Sequence, residues 1–211
     1  MVKCFVAIIL SVLSVTLFAQ EKDQYRTPPE FTYKNMLKAS ATLSPGYMLS
    51  ETQTNIYVHG HLEYFAEEKV SLRGDGFWFT GAQQKPSLLK ENSTLLFGGL
   101  YHFHKNRFDY FVGLQTGMSF TKPTDTYYDI YTVSGISITI TQGTNSYSAK
   151  ALPVISPFTG ITFYPGKYVN FFLEARYVSG RYFGYNGGST LFMDEIRISA
   201  GLGFQIPLKK Q

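Results

Sequence analysis

The four histidines of the chain fall as two His-x-His pairs, His59/His61 in "YVHGHLEY" and His102/His104 in "LYHFHKN". On an extended chain, residues two apart share a face, so each pair holds two imidazoles side by side, and Glu63 continues the first pair by one more step. Imidazoles and a carboxylate in such an array are ligands for a transition metal. Neither pair has a third ligand at a defined spacing. The reading adopted is hydrogen bonding to nearby aspartates, Asp75 and Asp109, with no metal and no cofactor. Nucleophilic catalysis has less support, because no His-x-Ser pair occurs and the single cysteine is Cys4, near the start of the chain. A Ser-His-acid set assembled from separate strands stays open, yet nothing in the sequence requires it. "GYNGGST" lacks the lysine of a phosphate loop and reads as a flexible turn. The chain is read as non-catalytic.

The elements that position these residues are strands. "EIRISAGLGFQIP", Glu195 to Pro207, alternates charged or small residues with Ile196, Ile198, Ala200, Leu202, Phe204 and Ile206, the period of a strand with one apolar and one polar face. Seven further segments behave alike, and together they predict strands at about Met36–Leu49, Asn55–Phe65, Val70–Gly81, Thr94–His104, Arg107–Phe120, Ala151–Tyr164, Tyr168–Ser179 and Leu191–Ile206. Most exceed the ~9–11 residues that cross a bilayer when tilted. Tight turns at Ala66–Lys69, Lys105–Asn106 and Pro165–Gly166 alternate with longer connections at 81–93, 121–150 and 180–190. Ser50–Thr54 is the one short member of the second set. That is the pattern of an all-β, eight-stranded, antiparallel up-and-down transmembrane barrel with short periplasmic turns, longer extracellular loops and both termini in the periplasm. Within the longest connection, "DIYTVSGISITIT" alternates well enough to form its own hairpin, although a mobile loop is the simpler reading.

One set of strand faces carries Tyr47, Val58, Leu62, Trp78, Phe97, Tyr101, Val112, Leu173, Ile198 and Phe204, almost without charge. The other mixes Gly, Ser and Thr with Glu63, Arg73, Asp75, Asp109, Glu174, Arg176, Glu195 and Arg197. A soluble barrel would show the second set to water and need many more Lys and Glu there, so the charged set is placed in the lumen. Antiparallel registers then predict Glu63 opposite Arg73, His61 opposite Asp75, His102 opposite Asp109, Arg176 opposite Glu195 and Glu174 opposite Arg197. This network is expected to plug the barrel.

Composition agrees with a membrane protein. Only 16% of residues are charged and 17% are aromatic, against about 25% charged in an ordinary soluble domain. The net charge of +4 is dispersed along the chain, which gives no support for nucleic-acid binding. Residues 1–19, with Lys3, an apolar stretch from Phe5 to Phe18 and then Ala19, read as a signal peptide. Residues 20–35 read as a periplasmic leader and 36–211 as the barrel.

"SAGLGFQI", Ser199 to Ile206, resembles the terminal assembly signal of bacterial outer-membrane barrels: Ser199, Gly201, Phe204 and Ile206 occupy its polar, glycine and two hydrophobic positions. With the leader and the strand series, the mature chain resembles the small OmpA-like, outer membrane protein beta-barrel family. The resemblance implies a Gram-negative outer-membrane location, recognition by the barrel-assembly machinery, contact with outer-membrane lipid and lipopolysaccharide, a structural or surface-interaction role, and little conductance. An extracellular partner would meet the loops 81–93, 121–150 and 180–190. A narrow pore for ions or small solutes is the alternative, followed by a lipid-modifying enzyme or a soluble lipocalin-like carrier.

Overall fold

The computed structural model describes residues 34–84, 87–133, 137–185 and 189–208. Its strands are β1 (Met36–Met48), β2 (Thr54–Phe65), β3 (Val70–Ala82), β4 (Leu89–Lys105), β5 (Phe108–Val133), β6 (Ser137–Ser146), β7 (Lys150–Phe163), β8 (Val169–Tyr185), β9 (Ser189–Phe192) and β10 (Glu195–Pro207). The expected signal peptide, residues 1–19, and most of the expected leader, 20–35, lie outside the described residues.

Eight of the strands close a barrel. Antiparallel pairing runs β1-β2-β3-β4-β5-β7-β8-β10, and β10 returns to β1 with Met36 opposite Pro207 and Met48 opposite Glu195. The closed ladder leaves no edge at membrane depth, where an unpaired backbone group would find no water. Proline interrupts the ladder twice. The β1–β10 register has no paired residues from Thr42 to Pro45, and β7–β8 has none at Ser156 and Pro157. Proline offers no N–H. In the first gap the Ser44 hydroxyl donates to the Ile198 carbonyl at 3.0 Å and Thr42 donates to the Ala200 carbonyl, so side chains satisfy those acceptors.

The first and last described segments of the chain meet beside the tight turns. Asn35 N–H donates to Phe65 O, Leu208 N–H to Asn35 O and Gln205 N–H to Tyr168 O. Asn106, between β4 and β5, takes φ 58°, a conformation that asparagine tolerates better than most residues.

The long connections are shorter than expected because their sequences continue the strands. β4 begins at Leu89, so the connection 81–93 shrinks to 83–88. Within 121–150, β5 runs on to Val133 and pairs with β6 from Thr124 opposite Ser146 to Val133 opposite Ser137. Within 180–190, β8 runs to Tyr185 and pairs with β9. The expected last strand, Leu191–Ile206, is therefore two strands, broken at Met193–Asp194 where the chain passes from the β8–β9 hairpin into the barrel wall.

The outward face is apolar as expected. Trp78, Leu95, Phe97, Leu62, Leu114, Ile198 and Phe204 are each at least half exposed, a surface that lipid and not water can cover.

Candidate functional site

The lumen gathers nearly all the buried charge, and three arginines organise its centre. Each pairs with a carboxylate two residues along its own strand, on the same inward face: Arg73 with Asp75 at 2.7 Å, Arg176 with Glu174 at 2.9 Å and Arg197 with Glu195 at 2.7 Å. Arg73 on β3 also reaches Glu174 on β8 at 2.7 Å, and Arg176 reaches Asp75 at 3.3 Å, so the pairs are tied across the barrel. Gln115 joins them, donating to Asp75 at 2.6 Å and accepting from Arg176 at 2.6 Å. The guanidinium faces rest on rings: Arg176 lies 4.4 Å from the Phe158 centroid, Arg197 lies 4.2 Å from Tyr57, and Phe77 touches both arginines. Room for Phe158 comes from Gly113, where a Cβ would sit 2.5 Å from the ring. Each cation thus has at least one carboxylate partner and an aromatic ring against it.

Toward the tight turns a chain of pairs runs Lys38–Glu63 at 2.7 Å, Glu63–His102 at 3.0 Å, His102–Asp109 at 2.9 Å and Asp109–His104 at 2.9 Å. Ser71 Oγ is 2.8 Å from His102 Nε2, and His102 Nδ1 is 2.9 Å from Asp109 Oδ2, the connectivity of a Ser-His-Asp triad. The chemistry is different. A general base needs a free lone pair, but both His102 nitrogens face carboxylates, which only accept, so the ring donates from both. The Ser71 hydroxyl in turn has Glu63 as an acceptor at 2.7 Å. All three residues are at most 1% exposed. The arrangement is an ion-pair chain and not an activated nucleophile.

Three expected pairings need correction. Glu63 does lie opposite Arg73 and His61 opposite Asp75. Yet Glu63 turns to Lys38, His61 bonds Ser40 at 2.8 Å, and it is His59 that meets Asp75 at 2.7 Å. Residue His102 stands opposite Phe111 and reaches Asp109 diagonally, because β4 and β5 are offset by two residues from the expected register. Residue Arg176 stands opposite Arg197, and Glu174 opposite Ser199. The expected register assumed one turn over 180–190, whereas the β9 insertion and the step at Met193–Asp194 move β10 by two. A shift of two keeps every side chain on its face, so the lumen keeps its residues and exchanges their partners. Lys38, Gln115, Tyr57, Phe77 and Phe158 were not expected in the network. The available signal was same-face alternation: Lys38 shares its face with Met36 and Ser40.

A metal does not fit the first histidine pair. The ligating atoms of His59, His61 and Asp75 lie within 4.8 Å of one another. However, Asp75 already accepts from Arg73, Arg176 and Gln115, so a dication there would face two guanidiniums.

Toward the loops the lumen changes character. Met48, Leu89, Leu152, Tyr182, Leu191 and Met193 pack together, all at most 5% exposed, with Phe79, Leu88 and Tyr147 against them. The expectation is a polar lumen filled by side chains. Here side chains close the loop-side end without charge.

The Ser199 hydroxyl donates to Ser44 inside the barrel at 2.9 Å, Gly201 faces the same side, and Phe204 and Ile206 project outward from β10.

No protein-family model matches the chain, and no curated protein does. Solved structures match over most of its length. OprG from Pseudomonas aeruginosa aligns with a TM-score of 0.56 at 7% identity, over 84% of this chain and 98% of that one. Neisserial surface protein A gives 0.50 at 11%, over 82% and 96%, and Ail of Yersinia pestis gives 0.50 at 9%, over 82% and 99%. The fold is that of the small outer-membrane barrels. At these identities the likeness speaks for fold alone, and the lumen chemistry has to be argued from this chain's own residues.

Proposed function

We propose that the chain is a non-catalytic barrel of a Gram-negative outer membrane, with its tight turns in the periplasm and its hairpins outside, serving a structural and surface-interaction role. The observation that carries this is the closure of the lumen by two successive fillings, ionic at the centre and apolar at the loop side. A filled lumen leaves the hairpins as the parts free to act on a partner. The β5–β6 hairpin supports the reading. β6, "SITITQGTNS", pairs only with β5 among the described residues and contains neither charge nor proline. Natural edge strands are usually blunted by such residues, so this one suits an extended partner segment that adds a strand. The apolar outer face argues against a soluble carrier. In this reading Ser199, Gly201, Phe204 and Ile206 form the segment that the assembly machinery would recognise.

The test is conductance of the purified full chain in planar bilayers, joined to protease treatment of intact cells. Silent membranes and cleavage within 125–146 on intact cells are expected. Discrete current steps would favour the narrow pore, and cleavage only after permeabilisation would reverse the orientation.

A further inference from the structure

The net charge that is dispersed in the sequence is gathered by the fold. Inside the barrel, Lys38, Arg73, Arg176 and Arg197 stand against Glu63, Asp75, Asp109, Glu174 and Glu195, nearly balanced. By sequence position the loop end is balanced too. Lys85, Lys90, Lys122, Lys150 and Arg181 match Glu51, Glu91, Asp125, Asp129 and Asp194 in number. The first 33 residues carry three charges of each sign. Among the described residues the excess therefore belongs to the tight-turn end, where Lys34, Lys69, Lys105, Arg107 and Lys167 stand with Glu67 and Glu68 as the only carboxylates. Lys34 is neutralised by Glu67 at 2.6 Å. Lys69, Lys105, Arg107 and Lys167 are exposed, and among the described residues no carboxylate pairs with them.

Their neighbours say which partner they meet. Lys167 lies over the ring of Tyr168 at 5.6 Å, and Tyr168 is 58% exposed. Lys105 and Arg107 sit between the outward-facing Phe103 and Phe108, and Lys69 directly precedes the outward-facing Val70. Outward apolar and aromatic side chains next to cations mark the level at which hydrocarbon gives way to headgroups. We infer that Lys69, Lys105, Arg107 and Lys167 form a collar that binds the phosphodiesters of anionic phospholipids in the leaflet at the turn end. The loop end, with no excess of cations, has no comparable claim on lipid phosphate. Naming that leaflet as the periplasmic one rests on the orientation proposed above. The collar itself rests on charge and position.

The test reconstitutes the full mature chain in phosphatidylcholine vesicles containing a minor fraction of spin-labelled phosphatidylglycerol or spin-labelled phosphatidylcholine, and compares their association with the protein. The expected result is a preference of about threefold or more for phosphatidylglycerol that falls toward unity in 1 M salt. The combined variant Lys69→Gln, Lys105→Gln, Arg107→Gln and Lys167→Gln should lose it. The loop-end variant Lys90→Gln, Lys122→Gln and Arg181→Gln should keep it. Equal association of the two lipids in the parent chain would overturn the inference without any variant being needed. Loss of preference in the loop-end variant alone would overturn it as well, as would salt-sensitive binding to peptidoglycan sacculi with no lipid preference. Failure of the chain to enter vesicles as a compact, heat-modifiable species is a separate result, and it would count against the membrane barrel itself.

Discussion

At the centre of the lumen Arg73, Arg176 and Arg197 lie among Asp75, Glu174 and Glu195, whereas at its loop side the same wall turns in Met48, Leu89, Leu152, Leu191 and Met193. Both regions are buried and both exclude solvent, but they hold their strands by different means. The ionic region is specific: each charge must find its partner, because a lone buried charge is costly. The apolar region is tolerant, since its cost is measured in lost contact and cavity and not in unpaired charge. One barrel thus contains a part that fixes register and a part that only fills space.

The largest effect expected is that of breaking the ionic region. Arg73→Met leaves Asp75 and Glu174 each short of a 2.7 Å partner and should cost about 3–5 kcal/mol, read as a lower urea midpoint for loss of the compact band on gels. Lys38→Met should cost on the order of 3 kcal/mol, because it leaves the buried Glu63 Oε2 without its 2.7 Å partner while Oε1 keeps Ser71 and His102, and adding Glu63→Gln should recover most of that loss. If the double variant is no better than the single one, the pair acts through the His102 chain and not by itself.

The division between the regions also marks what the sequence could reveal. Period-two alternation assigns residues to faces, and on that basis the lumenal placement of Glu63, Arg73, Glu174 and Arg197 was legible. Partners were not, because a two-residue offset leaves every face unchanged while it exchanges Arg197 for Glu195 opposite Arg176. The offset comes from β9, four residues whose pairing with β8 depends on a turn geometry that alternation does not encode. The apolar filling was missed for another reason. Leu89, Leu152 and Leu191 alternate like any inward residue, as do Phe77 and Phe158 among the arginines, but an apolar side chain on the inner face looks the same in sequence as one on the outer face. Their place follows only once charged neighbours such as Asp75 and Arg176 anchor the phase of the strand.

A smaller effect tests the tolerant region. Met193→Ala or Leu191→Ala removes volume from the loop-side cluster and should cost about 2 kcal/mol, at the low end for a core truncation because the partly buried Phe79, Leu88 and Tyr147 beside the cluster can move into the space. Neither variant should conduct, since the ionic layer still fills the centre. Current steps from Met193→Ala alone would mean that the apolar filling is the only seal.

The smallest effect sharpens the comparison from outside the barrel. Replacing 125–145 with a short turn removes the β5–β6 hairpin, whose ladder pairs with nothing else in the described structure. None of the described lumenal charges belongs to it: they lie on β1, β2, β3, the barrel part of β5, β8 and β10, with His102 on β4. The barrel segment of β5 ends its pairing with β7 at Thr121 opposite Lys150, before the deletion begins. Shortening a surface connection changes closure entropy by only a fraction of a kcal/mol. The urea midpoint should therefore move by less than about 0.5 kcal/mol equivalent, with the compact band intact. A large loss would mean that the hairpin supports the Met48–Leu191 cluster from above. An unchanged midpoint would leave the hairpin free to serve a partner, because its sequence is then not needed to hold the barrel together.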